Sequence, residues 1–144
     1  MALTGEEIRS RLGDFAAKWS VYEGTERSEA QTFLNQLFAC YGTDREEVAT
    51  FEEPQQGGFI DLIWPRVCLF EMKRPAEANR LIVHRGQALQ YWAQSADPER
   101  NIAAPTYVVV CAFKKLEILQ PGLFPGKPRL ELDLIELPDR YEAL

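Results

Sequence analysis

A mixed α/β domain, a β-sheet flanked by helices, is the fold this sequence predicts, and three stretches carry the prediction. In TERSEAQTFLNQLFACYG (25–42), Ala30, Phe33, Leu34, Leu37, Phe38 and Tyr41 recur at the spacing of one helical face. FIDLIW (59–64) and VCLFEMK (67–73) are apolar on both faces, as central strands of a covered sheet are. PTYVVVCAF (105–113) is a near-continuous β-branched run that reads as a further buried strand. At 144 residues the chain fits one domain with room for a real core.

Taken in order, residues 6–20 (EEIRSRLGDFAAKWS) form an amphipathic helix with Ile8, Leu12, Phe15, Ala16 and Trp19 on one side. Gly24 breaks it, Thr25 caps the second helix, and Gly42 ends that one. A short strand is expected over EVATFEE (47–53), before the turn PQQGG. The two central strands follow, joined at Pro65-Arg66, and then a helix from about Glu77 to Ser95. KLEILQ (115–120) is read as the hairpin partner of the β-branched strand. RLELDLIEL (129–137) alternates strictly, as an edge strand with one wet face does, and LPDRYEAL begins another helix. The expected layout is therefore N-terminal helices over 1–45, site-bearing strands over 46–74, a helix over 77–96 and further strands over 104–136, with no repeat or linker.

Composition narrows the function. With 16 basic against 22 acidic residues the net charge is −6, which argues against tight autonomous binding to nucleic acid, where Lys and Arg contacts supply most of the affinity. Chemistry on nucleic acid would need a local basic strip or a partner domain that does the binding. No apolar run reaches the length of a membrane span, and MALTGEEIRSRLG lacks the character of a signal or transit peptide, so a cytoplasmic location and no membrane partner are expected. Cys40, Cys68 and Cys111 lie in apolar segments without a CxxC pair and read as buried, reduced thiols.

Three charges break the apolar strands: Asp61 in the first, Glu71 and Lys73 in the second. An unpaired ion in an apolar site costs several kcal/mol or neutralises by shifting its pKa. If Pro65, Arg66 and Val67 form an unpaired connection, an antiparallel hairpin sets Asp61 opposite Glu71, with Lys73 on the same face. Two carboxylates at close range raise each other's pKa unless a cation lies between them, and such oxygen ligands suit Mg²⁺ or Mn²⁺. A lysine beside the ion can orient a water and stabilise charge developing on a phosphate. The plain alternative is an internal salt bridge between Lys73 and one acid.

D-x9-E-x-K on a hairpin with a helix on either side resembles the PD-(D/E)XK nuclease superfamily. More closely, YEGTERSEAQTFLNQLFACYG followed by GFIDLIWPRVCLFEMKRP resembles the N-terminal nuclease domain of MmeI-like restriction enzymes, in which a nuclease is fused to an adenine-specific DNA methyltransferase and a target-recognition domain. The similarity runs through nearly the whole chain. It implies a restriction-endonuclease-like mixed sheet, a Mg²⁺ cofactor for which Mn²⁺ substitutes, and double-stranded DNA as substrate. Ile60 stands where the superfamily label has a proline. The chain carries neither an NPPY-type motif nor a glycine-rich cofactor loop, so a methyltransferase is expected as a partner in the same protein or complex.

Site roles follow from the same resemblance. Asp61, Glu71 and the Met72 backbone carbonyl are expected to hold the metal, and Lys73 to position the attacking water. Gln87 and Tyr91 match the Q-x-x-x-Y pattern found after ExK in several restriction nucleases. Glu26 and Glu29 are candidates for the further carboxylate that the preceding helix often supplies, although glutamates in a first helical turn also suit the helix dipole. Arg74, Arg80 and His84 are candidate phosphate contacts, and Lys73, Arg74, Arg80 and Arg85 form a small basic strip. The expected activity is metal-dependent DNA cleavage within a restriction–modification or phage-defence system. The rival expectation is an inactive nuclease-like module for docking or for reading DNA shape.

Overall fold

A computed structural model describes residues 3–55, 58–97, 99, 103–123 and 127–144, without the side chains at 26–28, 53–55 and 59. Helices α1 (Gly5–Trp19) and α2 (Glu26–Cys40) lead into a single turn, α3 (Arg45–Val48). Six strands follow: β1 (Thr50–Gln55), β2 (Gly58–Trp64), β3 (Cys68–Met72), β4 (Tyr107–Cys111), β5 (Lys115–Leu119) and β6 (Leu130–Asp133). They form one mixed sheet in chain order, parallel only between β3 and β4. That parallel pairing requires a crossover, supplied by a 3-10 helix (Pro75–His84) and α4 (Arg85–Gln94). A further 3-10 segment (Leu134–Ala143) lies at the C-terminal end.

Local chemistry sets the first helix. Thr4 and Glu7 exchange the two bonds of a capping box, and Leu12, Phe15, Ala16 and Trp19 are buried. In α2 the buried positions are Phe33, Leu34, Leu37 and Phe38, and beyond its end Gly42 adopts φ +77°. These residues pack with Leu62, Phe70, Met72, Val109, Cys111, Leu116, Ile118 and Leu132 from one face of the sheet. The opposite face contributes Leu69, Val108, Val110 and Leu119 to a smaller cluster, covered by Ala78, Leu81, Ala88 and Tyr91 of the crossover. Two apolar faces on β3 and β4 explain their unbroken hydrophobic runs.

Three elements differ from expectation. The strand expected over 47–53 begins only at Thr50, because the Asp44 side chain accepts from the Glu46 amide and starts the α3 turn. The edge strand expected to run on past Asp133 stops there. Asp133 and Glu136 form a capping box that turns the chain into the final 3-10 segment, where Leu134 and Leu137 are buried. Finally, the helix expected over 77–95 is two helices. Its first part is 3-10 and is interrupted at Arg80 (φ −129°, ψ 24°) before α4 begins.

All three cysteines are free, and burial pushes the thiols up, Cys40 to about 11 and Cys68 and Cys111 to about 12. At neutral pH they behave as small apolar side chains.

Candidate functional site

The site grows out of a fork in the sheet. β2 and β3 pair through Trp64↔Cys68, Ile63↔Leu69 and Leu62↔Phe70, with residues 65–67 as the connection. One more step in that register sets Asp61 opposite Glu71, but the ladder is not continued there. Instead the Met72 amide donates to Asp61 Oδ2 at 2.6 Å, so a side chain takes the place of a backbone acceptor. Beyond this point β2 stays with β1, through Ile60↔Glu53, and β3 stays with β4, through Met72↔Cys111.

A distortion on β1 accompanies the fork. Glu52 lies opposite Asp61 in the β1–β2 register, the pair is skipped, and Glu52 has φ +54°. Ile60 belongs to the α4-side cluster whereas Leu62 belongs to the other. Regular alternation would put both on one face, so the strand is twisted at Asp61. Strain of this kind, on the order of 1–3 kcal/mol for a non-glycine residue at positive φ, persists where the surroundings impose it.

Glu71 is 5 % exposed, and its Oε2 is buried with no hydrogen-bond partner among the described residues. Burial first, and then the adjacent Asp61 carboxyl, push its pKa up to about 8, against the pull of Lys73. Lys73 Nζ lies 3.5 Å from Glu71 Oε1 and donates to Gln87 Oε1 at 3.3 Å. The salt bridge foreseen as the plain alternative therefore exists. It is long and shared with Gln87, and it offsets the upward push on the Glu71 carboxyl only in part. A hydrogen bond between the two acids requires a proton on one of them.

These atoms fit a divalent cation. Two carboxyls converge, one buried oxygen has no partner, and the Lys73 amide donates to Cys111 O at 2.7 Å. In a trans peptide the Met72 carbonyl points opposite to that amide, away from β4 and toward the side where Asp61 lies. Among the described residues, no group of three or more His, Cys, Asp or Glu side chains gathers as a metal site. The donor set is thus two acids and a carbonyl, which suits an ion that keeps several waters and takes its remaining ligands from phosphate. Glu29 is half-buried and does not join the acids, and the Glu26 side chain lies outside the described residues.

The remaining candidates divide. Gln87 reaches the site, with Nε2 donating to the Tyr91 hydroxyl at 3.2 Å. Tyr91 is 3 % exposed, and its hydroxyl is so close to Gly58 that a Cβ there would collide with it. Arg80 and His84 both turn to Glu77, each at 3.3 Å. The break at Arg80 removes the single polar stripe that a continuous helix would have given with Gln87 and Tyr91. Arg85 is likewise engaged, in a fork on Glu117 (2.6 and 2.7 Å) and a contact to Glu131 (2.9 Å). Arg74 is exposed and has no acidic partner among the described residues. Of the expected basic strip, only Lys73 and Arg74 remain available beside the acids.

Glu117 escaped the sequence reading, though its signal equals that of Glu71: an acid within an apolar strand, KLEIL, 3 % exposed. Glu71, Val110, Glu117 and Glu131 lie in one row across β3 to β6. The large hollow of about 970 Å³ is elsewhere, under α2 at the opposite end of β3, lined by Phe38, Trp64, Phe70 and Tyr107. Volume does not mark the site; misplaced charge does.

Fold and site together define an α/β domain with an acid–acid–lysine cluster at the fork of a six-stranded mixed sheet. Over residues 10–144 the chain matches the family model described as MmeI, N-terminal domain. It belongs to that family, and is a restriction-enzyme-related module. Neither a curated protein nor a solved structure matches it.

Proposed function

We propose that this domain is a Mg²⁺-dependent DNA endonuclease that hydrolyses phosphodiester bonds to a 5′-phosphate and a 3′-hydroxyl. The observation that supports it most is the Glu71 carboxyl, buried beside Asp61 with one oxygen unpartnered and its pKa raised to about 8. A structural acid is stabilised by its surroundings; burial and Asp61 disfavour the ionised form of this one, and Lys73 offsets them only in part. Membership of a restriction-enzyme-related family supports double-stranded DNA as substrate, and a methyltransferase with a target-recognition domain as partners.

Asp61, Glu71 and the Met72 carbonyl would hold the ion, which would supply positive charge to the phosphate and acidity to a water. Lys73 Nζ, adjacent to Glu71, orients the attacking water and stabilises charge developing on the phosphate oxygens. Water attacks phosphorus and releases a proton to solvent, the bond to the 3′ oxygen breaks, and that oxygen takes a proton from solvent to become the 3′-hydroxyl. Gln87 fixes the lysine from its far side. Arg74 is free to meet a neighbouring phosphate.

Mn²⁺ calorimetry with plasmid cleavage tests the reading. Wild type should bind Mn²⁺ and cleave, and Glu71→Ala should lose both. Asp61→Asn should abolish cleavage, and above pH 8, where Glu71 is ionised, it should melt no lower than wild type without metal, because relief of acid–acid repulsion is worth about 1 kcal/mol. Cleavage by Asp61→Asn at the wild-type rate would refute the assignment.

A further inference from the structure

No side-chain cap and no first-turn acid fixes the start of α4. The His84 side chain at its N-cap is turned to Glu77 and does not cap the helix, and no acid occupies the first turn. Its first residue is Arg85, whose charge is unfavourable at a helix N-terminus. What does hold this end is tertiary. Both arms of the Arg85 guanidinium meet Glu117 on β5, and Nη2 also meets Glu131 on β6.

The helical period connects this fork to the site. Ala88 and Tyr91 are buried and face the sheet. Arg85 and Gln87 are separated by roughly 200° around the axis, so they leave α4 on opposite flanks of that buried line. Arg85 reaches toward β5 and β6, and Gln87 reaches toward Lys73 at the end of β3. A rotation of α4 that freed Arg85 would carry Gln87 away from the lysine.

Resting on the endonuclease reading, we propose that Arg85, clamped on Glu117 and Glu131, is a positioning residue that sets the rotation of α4 and holds Gln87 against Lys73. Charge alone does not suffice. A lysine at position 85 would keep the ion pair and lose the two-armed geometry that resists rotation.

The test pairs a structural readout with a kinetic one. In isotope-labelled, metal-free protein the Gln87 side-chain amide is assigned by its loss in Gln87→Ala. Arg85→Met should shift that signal, and Arg85→Lys should shift it less. At saturating Mn²⁺, Arg85→Met should cut plasmid DNA about 10- to 100-fold more slowly, the usual penalty for losing a supporting contact. The Mn²⁺ concentration for half-maximal rate should not move. In the Gln87→Ala background, Arg85→Met should slow cleavage no further. A Gln87 signal that stays put in folded Arg85→Met overturns the proposal, and so do losses that simply add. If Arg85→Met does not fold, Glu117→Gln takes its place, and an unmoved Gln87 signal there overturns the proposal equally. A wild-type protein that never cleaves defeats the endonuclease reading alone, because the amide signal still decides the clamp.

Discussion

The two faces of the sheet use the same strands in opposite ways. On one side, α1 and α2 bring an aromatic cluster down onto a mostly aliphatic face. Phe33 lies 4.9 Å from Phe15, 5.4 Å from Trp19 and 5.0 Å from Phe113, ring centre to ring centre. Phe113 keeps its place despite φ +62°. Under α4 the face carries Glu71 and Glu117, both buried, with Lys73 and Arg85 as their cations. One acid on that face is satisfied and the other is not. Glu117 receives a bidentate guanidinium at close range, whereas Glu71 shares a lysine at 3.5 Å and keeps a bare oxygen. The difference separates a charge that anchors structure from one that, on the endonuclease reading, would meet a cation.

The sharpest way to break the comparison is to damage each face in turn. Phe33→Ala opens a void among three rings and should cost about 3–5 kcal/mol in urea unfolding. Glu71→Gln, on the other face, should cost nothing in metal-free protein at pH 8.5. A Glu71→Gln protein as unstable as Phe33→Ala would make Glu71 a structural acid after all.

Lys73→Ala should slow cleavage by about 10² to 10³, the loss expected for one preorganised electrostatic group. It should bind Mn²⁺ at least as well as wild type, since a nearby positive charge is gone. Calorimetry beside a cleavage time course separates the two, and normal cleavage would reduce the lysine to a counter-ion.

Acidity sharpens the contrast further. Glu71 has a folded pKa of about 8, above the ordinary 4.5, so the folded protein binds the extra proton between those values. Without metal, stability should be highest near pH 5 and fall as pH rises through 8, by at most a few kcal/mol. Glu71→Gln should flatten that fall. Mn²⁺ binding should release a proton at pH 7, visible as a buffer-dependent heat.

The smallest effect is expected at Gly58. An alanine there meets the Tyr91 hydroxyl, which should cost about 1–2 kcal/mol by overpacking, and is further strained by the backbone at φ +155°. Tyr91→Phe removes the colliding oxygen and should restore the overpacking part alone, leaving the backbone strain. Thermal melts of the single and double variants decide, and additive losses would show that the hydroxyl is not what Gly58 makes room for.

The sequence by itself determined the α/β class, the amphipathic helices and the central hairpin. In those stretches the apolar period agrees with the local propensity, and the Pro65 connection sets the register that leaves Asp61 and Glu71 as neighbours. It could not show the break at Arg80, since the spacing 80, 84, 87, 91 looks helical until the backbone departs from α. Nor could it separate Glu117 from Glu71, as each is one acid in an apolar strand. Only the tertiary structure decided that Arg85 lands on Glu117 while Glu71 is left beside Asp61 at the fork. Partners far apart in the chain meet through sheet order and helix rotation, and neither is encoded in a local period.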